Sequence, residues 1–82
     1  MRLDKYLKVS RLIKRRTVAN EACGLGKITV NGKVARASYD VKVGDVIAIH
    51  FGERTLCVEV LDVSETAGKA EASLLYREVA AQ

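Results

Sequence analysis

The sequence predicts an α+β domain in which two short N-terminal helices pack on a small antiparallel β-sheet. Three observations predict it. Apolar residues recur at helical spacing early in the chain, at Leu3, Tyr6 and Leu7 and again at Val18, Ala19 and Ala22. From Ile28 onward the pattern changes to short β-branched runs broken by Asn31-Gly32, Gly44-Asp45 and Gly52-Glu53. The chain has 82 residues and no proline, so it holds one core, residues 1–82 form one domain, and its turns depend on Gly and Asn.

The elements follow in order. A helix begins near Asp4, with Leu3, Tyr6, Leu7 and Ser10 on its underside and Lys5, Lys8 and Arg11 on top. Asp4 suits an N-cap, or a polar contact to RNA or a neighbouring protein. Leu12 and Ile13 anchor a tight connection. A second helix spans roughly Arg16 to Cys23, with Val18, Ala19 and Ala22 as a narrow small-residue face. Arg16 and Asn20 are four apart and share its polar side. Gly24 is placed to end this helix in a left-handed conformation, with Leu25 folding back over the last turn. Ile28-Thr29-Val30 is a strand, Asn31-Gly32 a hairpin turn and Lys33-Val34-Ala35 the return. Tyr39 anchors the loop from Arg36 to Asp40. Val46 to Phe51 is a strand, Gly52-Glu53-Arg54 a turn, and Thr55 to Val63 the longest strand. Ser64 to Ala70 reads as a loop. Ala72 to Val79 is open between strand and helix, and the alternation of Leu74 and Tyr76 favours a strand.

Charge is the strongest functional signal. Residues 1–16 hold seven basic side chains and one acidic, a local charge of +6 against +4 for the whole chain. Residues 1–42 carry +8 and residues 43–82 carry −4. Like charges repel, so such clustering costs stability unless an anionic partner offsets it. The candidate contacts are Arg2, Lys5, Lys8, Arg11, Lys14, Arg15, Arg16, Lys27, Lys33 and Arg36. Nucleic acid is the favoured partner over anionic lipid or a merely solvated basic face. Lipid fits poorly, because the first helix commits its apolar side to a core. The helices are short and the cations suit phosphates more than base edges, which favours a folded RNA read by shape and backbone.

Catalysis finds no support. His50, the single histidine, lies inside a strand pattern with no recognisable Ser/Asp motif around it. Gly24-Leu25-Gly26 lacks the third glycine and the preceding strand of a dinucleotide site. Cys23 and Cys57 form no CxxC and no metal-ligand spacing, and read as buried thiols in a reducing compartment. No apolar run approaches the length of a membrane span or signal core. A cytoplasmic, monomeric protein without enzyme activity, cofactor, metal or membrane contact is expected.

Four blocks carry a specific likeness: Arg2-Leu3-Asp4-Lys5-x-Leu7, Lys14-x-Arg16-x-x-Ala19, Gly26-Lys27-Ile28-Thr29-Val30-Asn31-Gly32 and Val43-Gly44-Asp45-Val46-Ile47. In order and spacing they resemble the alpha-L RNA-binding domain, named after ribosomal protein S-four. The blocks span residues 2–47, and the later strands resemble the extended form of that domain. Large catalytic domains found in some members are absent. Among stand-alone members, the chain is similar to a small factor of ribosome-associated quality control. That likeness implies contact with rRNA of the large ribosomal subunit and with P-site tRNA on obstructed subunits. It also implies work beside the factor that recruits alanyl-tRNA for C-terminal alanine tailing. It singles out Arg2, Lys5 and Arg16 for RNA contact. Two alternatives remain: an rRNA-binding assembly or heat-shock ribosome-recycling factor, and an RNA-binding accessory subunit of an RNA-modifying enzyme.

Overall fold

Alternating burial along the chain decides the architecture. A computed structural model describes residues 1–63 and 75–79. Helix α1 (Leu3–Val9) and helix α2 (Arg16–Gly24) precede β1 (Ile28–Val30), β2 (Lys33–Val34), β3 (Val46–Phe51), β4 (Arg54–Val60) and β5 (Tyr76–Val79). The strands form one sheet in the order β2-β1-β3-β4-β5, with every neighbouring pair antiparallel. This is the predicted α+β arrangement, and Tyr76–Val79 is a strand. The loop expected at Ser64 to Ala70, and the start of the last strand from Ala72, lie outside the described residues.

The core lies between the underside of α1 and the inner face of the sheet. Leu3, Tyr6 and Leu7 are fully buried, in one cluster with Ile28, Ile47, Ile49, Val58 and Val60. The strand residues alternate, as a half-buried sheet requires. The Tyr6 hydroxyl donates to the Leu75 carbonyl at 2.6 Å, which ties α1 to the start of β5. Burial pushes the Tyr6 pKa up, so the hydroxyl stays a protonated donor. Ile13 is buried and Leu12 packs at the edge of the cluster, as expected of the anchoring pair.

The start of α1 is held by a loop rather than by a side-chain cap. Arg2 occupies the N-cap position with extended backbone and makes no capping bond from its side chain. Leu3 N–H donates to the Tyr39 carbonyl (2.8 Å) and Asp4 N–H to the Ala37 carbonyl (3.2 Å). The orphan donors of the first turn therefore reach the loop after β2. Asp4 sits inside the first turn, where Oδ1 accepts from Lys5 N–H at 2.8 Å.

Several local expectations shift. The left-handed residue after α2 is Gly26 (φ +74°), while Gly24 is the last residue of the helix. Gly26 N–H donates to the Cys23 carbonyl (3.1 Å) and Lys27 N–H to the Ala22 carbonyl (3.0 Å), a Schellman turn. Leu25 is 70% exposed and does not fold back over the helix. Ala19 and Cys23, four residues apart, form the buried face of α2, and Val18 points outward at 47% exposure. β4 is shorter than expected, ending at Val60, and begins one residue earlier, because Arg54 pairs with Phe51 across the β3–β4 turn.

A second network fixes the hairpin to the sheet. Asp45 accepts bonds from Asn31 Nδ2 (3.1 Å), the Tyr39 hydroxyl (3.0 Å) and Lys42 N–H (3.0 Å). These bonds outweigh burial and hold the Asp45 carboxyl below the usual carboxylate range. Asn31 Oδ1 also accepts from Val46 N–H at 3.0 Å. Tyr39 thus anchors its loop, and the β1–β2 hairpin has a fixed position relative to α1.

Candidate nucleic-acid interface

The only buried charge among the described residues is Asp4, whose side chain is 3% exposed. It gathers groups from both helices. Arg2 donates in a bidentate fork, Nε to Oδ1 at 3.1 Å and Nη2 to Oδ2 at 3.2 Å. From α2, Asn20 Nδ2 donates to Oδ2 at 3.3 Å, and Arg16 Nε lies 3.4 Å from the same oxygen. Burial raises the carboxyl pKa, but the bonds from Arg2, Asn20, Arg16 and the Lys5 N–H outweigh it, and the pKa falls to about 2. Asp4 is an ion throughout the physiological range, and its hydrogen bond raises the pKa of Arg2 in return.

Asp4 fixes two guanidinium groups without hiding them. The Arg2 and Arg16 side chains remain 51% and 48% exposed. A guanidinium carries five donors, so each retains N–H groups for a second partner. The two Arg and one Asp leave one net positive charge in a fixed frame. An open cleft beside them is lined by Asp4, Arg16, Thr17, Asn20 and Glu21. Asn20 lay on the right helix face in the sequence, but its bond to Asp4 spans 16 residues and has no local signal.

The remaining cations fall into two groups. Lys8, Arg11, Lys14 and Arg15 are exposed around the corner that joins α1 to α2, and none makes an ion pair with a described residue. Lys5, on α1 between these groups, is half-buried. Lys27, Lys33 and Arg36 are exposed on the β1–β2 side. Ala35 N–H donates to the Ile28 carbonyl at 3.1 Å, so Arg36 and Lys27 flank one end of that strand pair while Lys33 stands at the other. A groove between α2 and the following loop is lined by Asn20, Gly24, Leu25, Val34, Arg36 and Ala37. It extends the basic surface from Asp4 toward β2.

The opposite edge differs in charge. Glu59 is bonded to Arg77 (2.7 Å), and Glu53, Asp62 and Glu78 are exposed on or beside β4 and β5. The charge asymmetry of the two halves of the sequence becomes an asymmetry in space. His50 Nδ1 lies 3.2 Å from Thr55 Oγ1, a cross-strand polar pair. Among the described residues, no three or more His, Cys, Asp or Glu side chains are grouped to hold a metal. No helix among them is long and apolar enough to cross a membrane.

The family model described as the S4 domain matches residues 1–47, from the start of α1 into β3. The chain belongs to the S4 domain family. The match contains the whole Asp4 cluster and all ten candidate cations. Beyond it, the chain continues into the rest of β3 and into β4 and β5. The chain is 60% identical over 76 residues to the RQC P-site tRNA stabilizing factor of Halalkalibacterium halodurans, covering 93% of this chain and 86% of that one. It is 51% identical to the protein of that name from Bacillus subtilis, covering 93% and 88%. Among solved structures, Heat Shock Protein 15 of Vibrio cholerae superposes with a TM-score of 0.88 at 34% identity, covering 98% of this chain and 82% of that chain. The solution structure of HP1423 has a TM-score of 0.82 at 30% identity and covers both chains in full.

Proposed function

We propose that this S4 domain is a non-enzymatic factor of ribosome-associated quality control. It binds rRNA of the large ribosomal subunit and P-site tRNA on obstructed subunits, and so supports C-terminal alanine tailing beside the factor that recruits alanyl-tRNA. It acts in the cytoplasm as a monomer. The observation that carries this reading is the Asp4 cluster, which presents Arg2 and Arg16 half-open in a fixed frame. A fixed guanidinium pair suits the planar, bidentate geometry of phosphates better than mobile lysines do. The relatives named as P-site tRNA stabilizing factors, at 60% and 51% identity, supply the ribosomal context. Lys5, Lys8, Arg11, Lys14 and Arg15 extend the grip along the helices, and Lys27, Lys33 and Arg36 extend it along the hairpin.

Sedimentation tests it. The tagged protein is expected to migrate with large subunits, and more so when stalled nascent chains accumulate. With ~5–7 phosphates neutralised, the log–log dependence of affinity on salt should have a slope of about −4 to −6. Arg16→Glu should abolish association while the circular dichroism spectrum stays that of wild type, since Arg16 is exposed. Normal co-sedimentation of that variant would sink the assignment. The likeness to Heat Shock Protein 15 keeps a second reading, a heat-shock ribosome-recycling factor, in view. Association independent of stalling would favour it.

A further inference from the structure

The sheet ends in two unlike edges. One is β2, with only the two residues Lys33 and Val34, and the other is β5, with the four from Tyr76 to Val79. Leu61 N–H donates to the Leu75 carbonyl at 2.8 Å. From there the β4–β5 register runs Val60 with Tyr76, Glu59 with Arg77, Val58 with Glu78 and Cys57 with Val79. Bonded and non-bonded pairs alternate along an antiparallel ladder. Arg77 and Val79 therefore turn their N–H and C=O groups toward β4, and Tyr76 and Glu78 turn theirs outward. Among the described residues β5 pairs with β4 alone. Such an edge is a template for another strand.

The side chains restrict which strand fits. Tyr76 and Glu78 lie on the inner face of the sheet, two residues apart. Tyr76 packs against the core cluster, whereas Glu78 is exposed and makes no ion pair with a described residue. Arg77, on the outer face, is already committed to Glu59 at 2.7 Å. Asp62 is exposed at the start of the edge, where its N–H donates to the Leu75 carbonyl at 3.2 Å. The open charge beside β5 is thus negative. It repels phosphate and attracts a strand that carries Lys or Arg. A second copy fits badly. Bonding Glu78 to Tyr76 of another β5 sets Arg77 against Arg77, and bonding it to Glu78 sets two carboxylates face to face. The chain's own cationic edge, β2, is too short to supply the strand.

We propose that the outer edge of β5 docks an extended basic segment of another protein by antiparallel strand addition, with a Lys or Arg beside Glu78. The residue opposite Glu78 belongs to a bonded pair and shares its face, so the cationic residues of the segment are those whose amides point at β5. This surface is separate from the cationic one. Its test uses no RNA, so its failure leaves the RNA-binding reading standing.

The probe is an eight-residue peptide of alternating Val and Lys with blocked ends, titrated into the isotopically labelled full chain and followed by NMR. Saturable binding with a dissociation constant below about 1 mM is expected, with slowed hydrogen exchange at the Tyr76 and Glu78 amides. A peptide with Glu in place of Lys should not bind. Glu78→Lys should weaken binding about 3- to 10-fold, and its Tm should match wild type because Glu78 is exposed. Two N-methylated peptides leave the protein untouched: methylation at the Lys amides should abolish binding, and methylation at the Val amides should leave it. Equal binding by both, or by the Glu peptide, would overturn the proposal. So would an absence of protection at Tyr76 and Glu78, or self-association of the free chain through β5, which would make a second copy the occupant.

Discussion

Arg2 and Arg16 on one side, and Lys8, Arg11, Lys14 and Arg15 on the other, are cations of one surface held in two different ways. The first pair is fixed by a buried carboxylate, with Arg2 at 3.1 and 3.2 Å and Arg16 at 3.4 Å. The second group has no described carboxylate near it. Fixing a guanidinium before binding removes the ordering cost from the binding step, and gives direction as well as charge. Free cations supply a field that concentrates a polyanion and falls away with salt. The difference teaches that charge count and binding geometry separate within this domain. Asp4 lowers the net charge and yet should raise the affinity.

That contrast gives the largest expected effect. Asp4→Asn raises the net charge from +4 to +5, so simple electrostatics predicts tighter RNA binding. If the fixed geometry governs, the substitution instead releases Arg2 and Arg16 to repel one another, and affinity for large subunits should fall by at least about tenfold. A loss of that size corresponds to one charge-assisted hydrogen bond. Filter binding at fixed salt decides the sign. Tighter binding would erase the distinction between the two groups.

A smaller effect is expected at the corner. The double substitution Lys14→Gln/Arg15→Gln should weaken binding about tenfold near 0.1 M salt, with a slope shallower by about 2. The deficit should shrink as salt rises, because the lost contribution is the one that salt screens. Asp4→Asn should keep its deficit at high salt. Parallel salt profiles for the two variants would mean that both groups act through the field alone.

The sequence disclosed each region to a different depth, for physical reasons. The underside of α1 was legible because Leu3, Tyr6, Leu7 and Ser10 obey one period, and all four are buried. The Asn31-Gly32 turn was legible because few dipeptides tolerate two successive positive φ values, here +53° and +84°. The basic corner was legible as composition. The clamp was not, because Asp4 reads locally as a helix start and its partners Arg16 and Asn20 come from the next helix. The left-handed residue after α2 lies two residues later than its expected place, since Gly24 and Gly26 are equivalent by propensity and only the bonds to Cys23 and Ala22 choose between them. Val18 was assigned inward because its apolarity fits the pattern. The close approach of α1 admits Ala19 and Cys23 instead.

The last effect is thermodynamic, and its pH dependence appears only in acid. The pKa of Asp4 is about 2 in the folded protein against 3.8 for an unperturbed aspartate. The folded value is the lower one, so the unfolded chain binds the proton first. The contribution to stability is therefore complete above the unfolded value and is lost as pH falls toward the folded one. Asp4 is almost wholly buried, so the shift translates into roughly 2 kcal/mol. Wild type should exceed Asp4→Asn in urea stability by a constant margin above pH 5, and that margin should shrink through pH 4 and nearly vanish by pH 2. Asp40 and Asp45 also have lowered values, Asp40 through its bond to the N-terminal ammonium. Both are present in either protein, so the difference between the two curves isolates Asp4. No described carboxylate pairs with Lys8, Arg11, Lys14 or Arg15, so neutralising the corner should leave this pH profile unmoved. A profile that shifted with Lys14→Gln/Arg15→Gln would show that the two groups of cations are coupled through the fold.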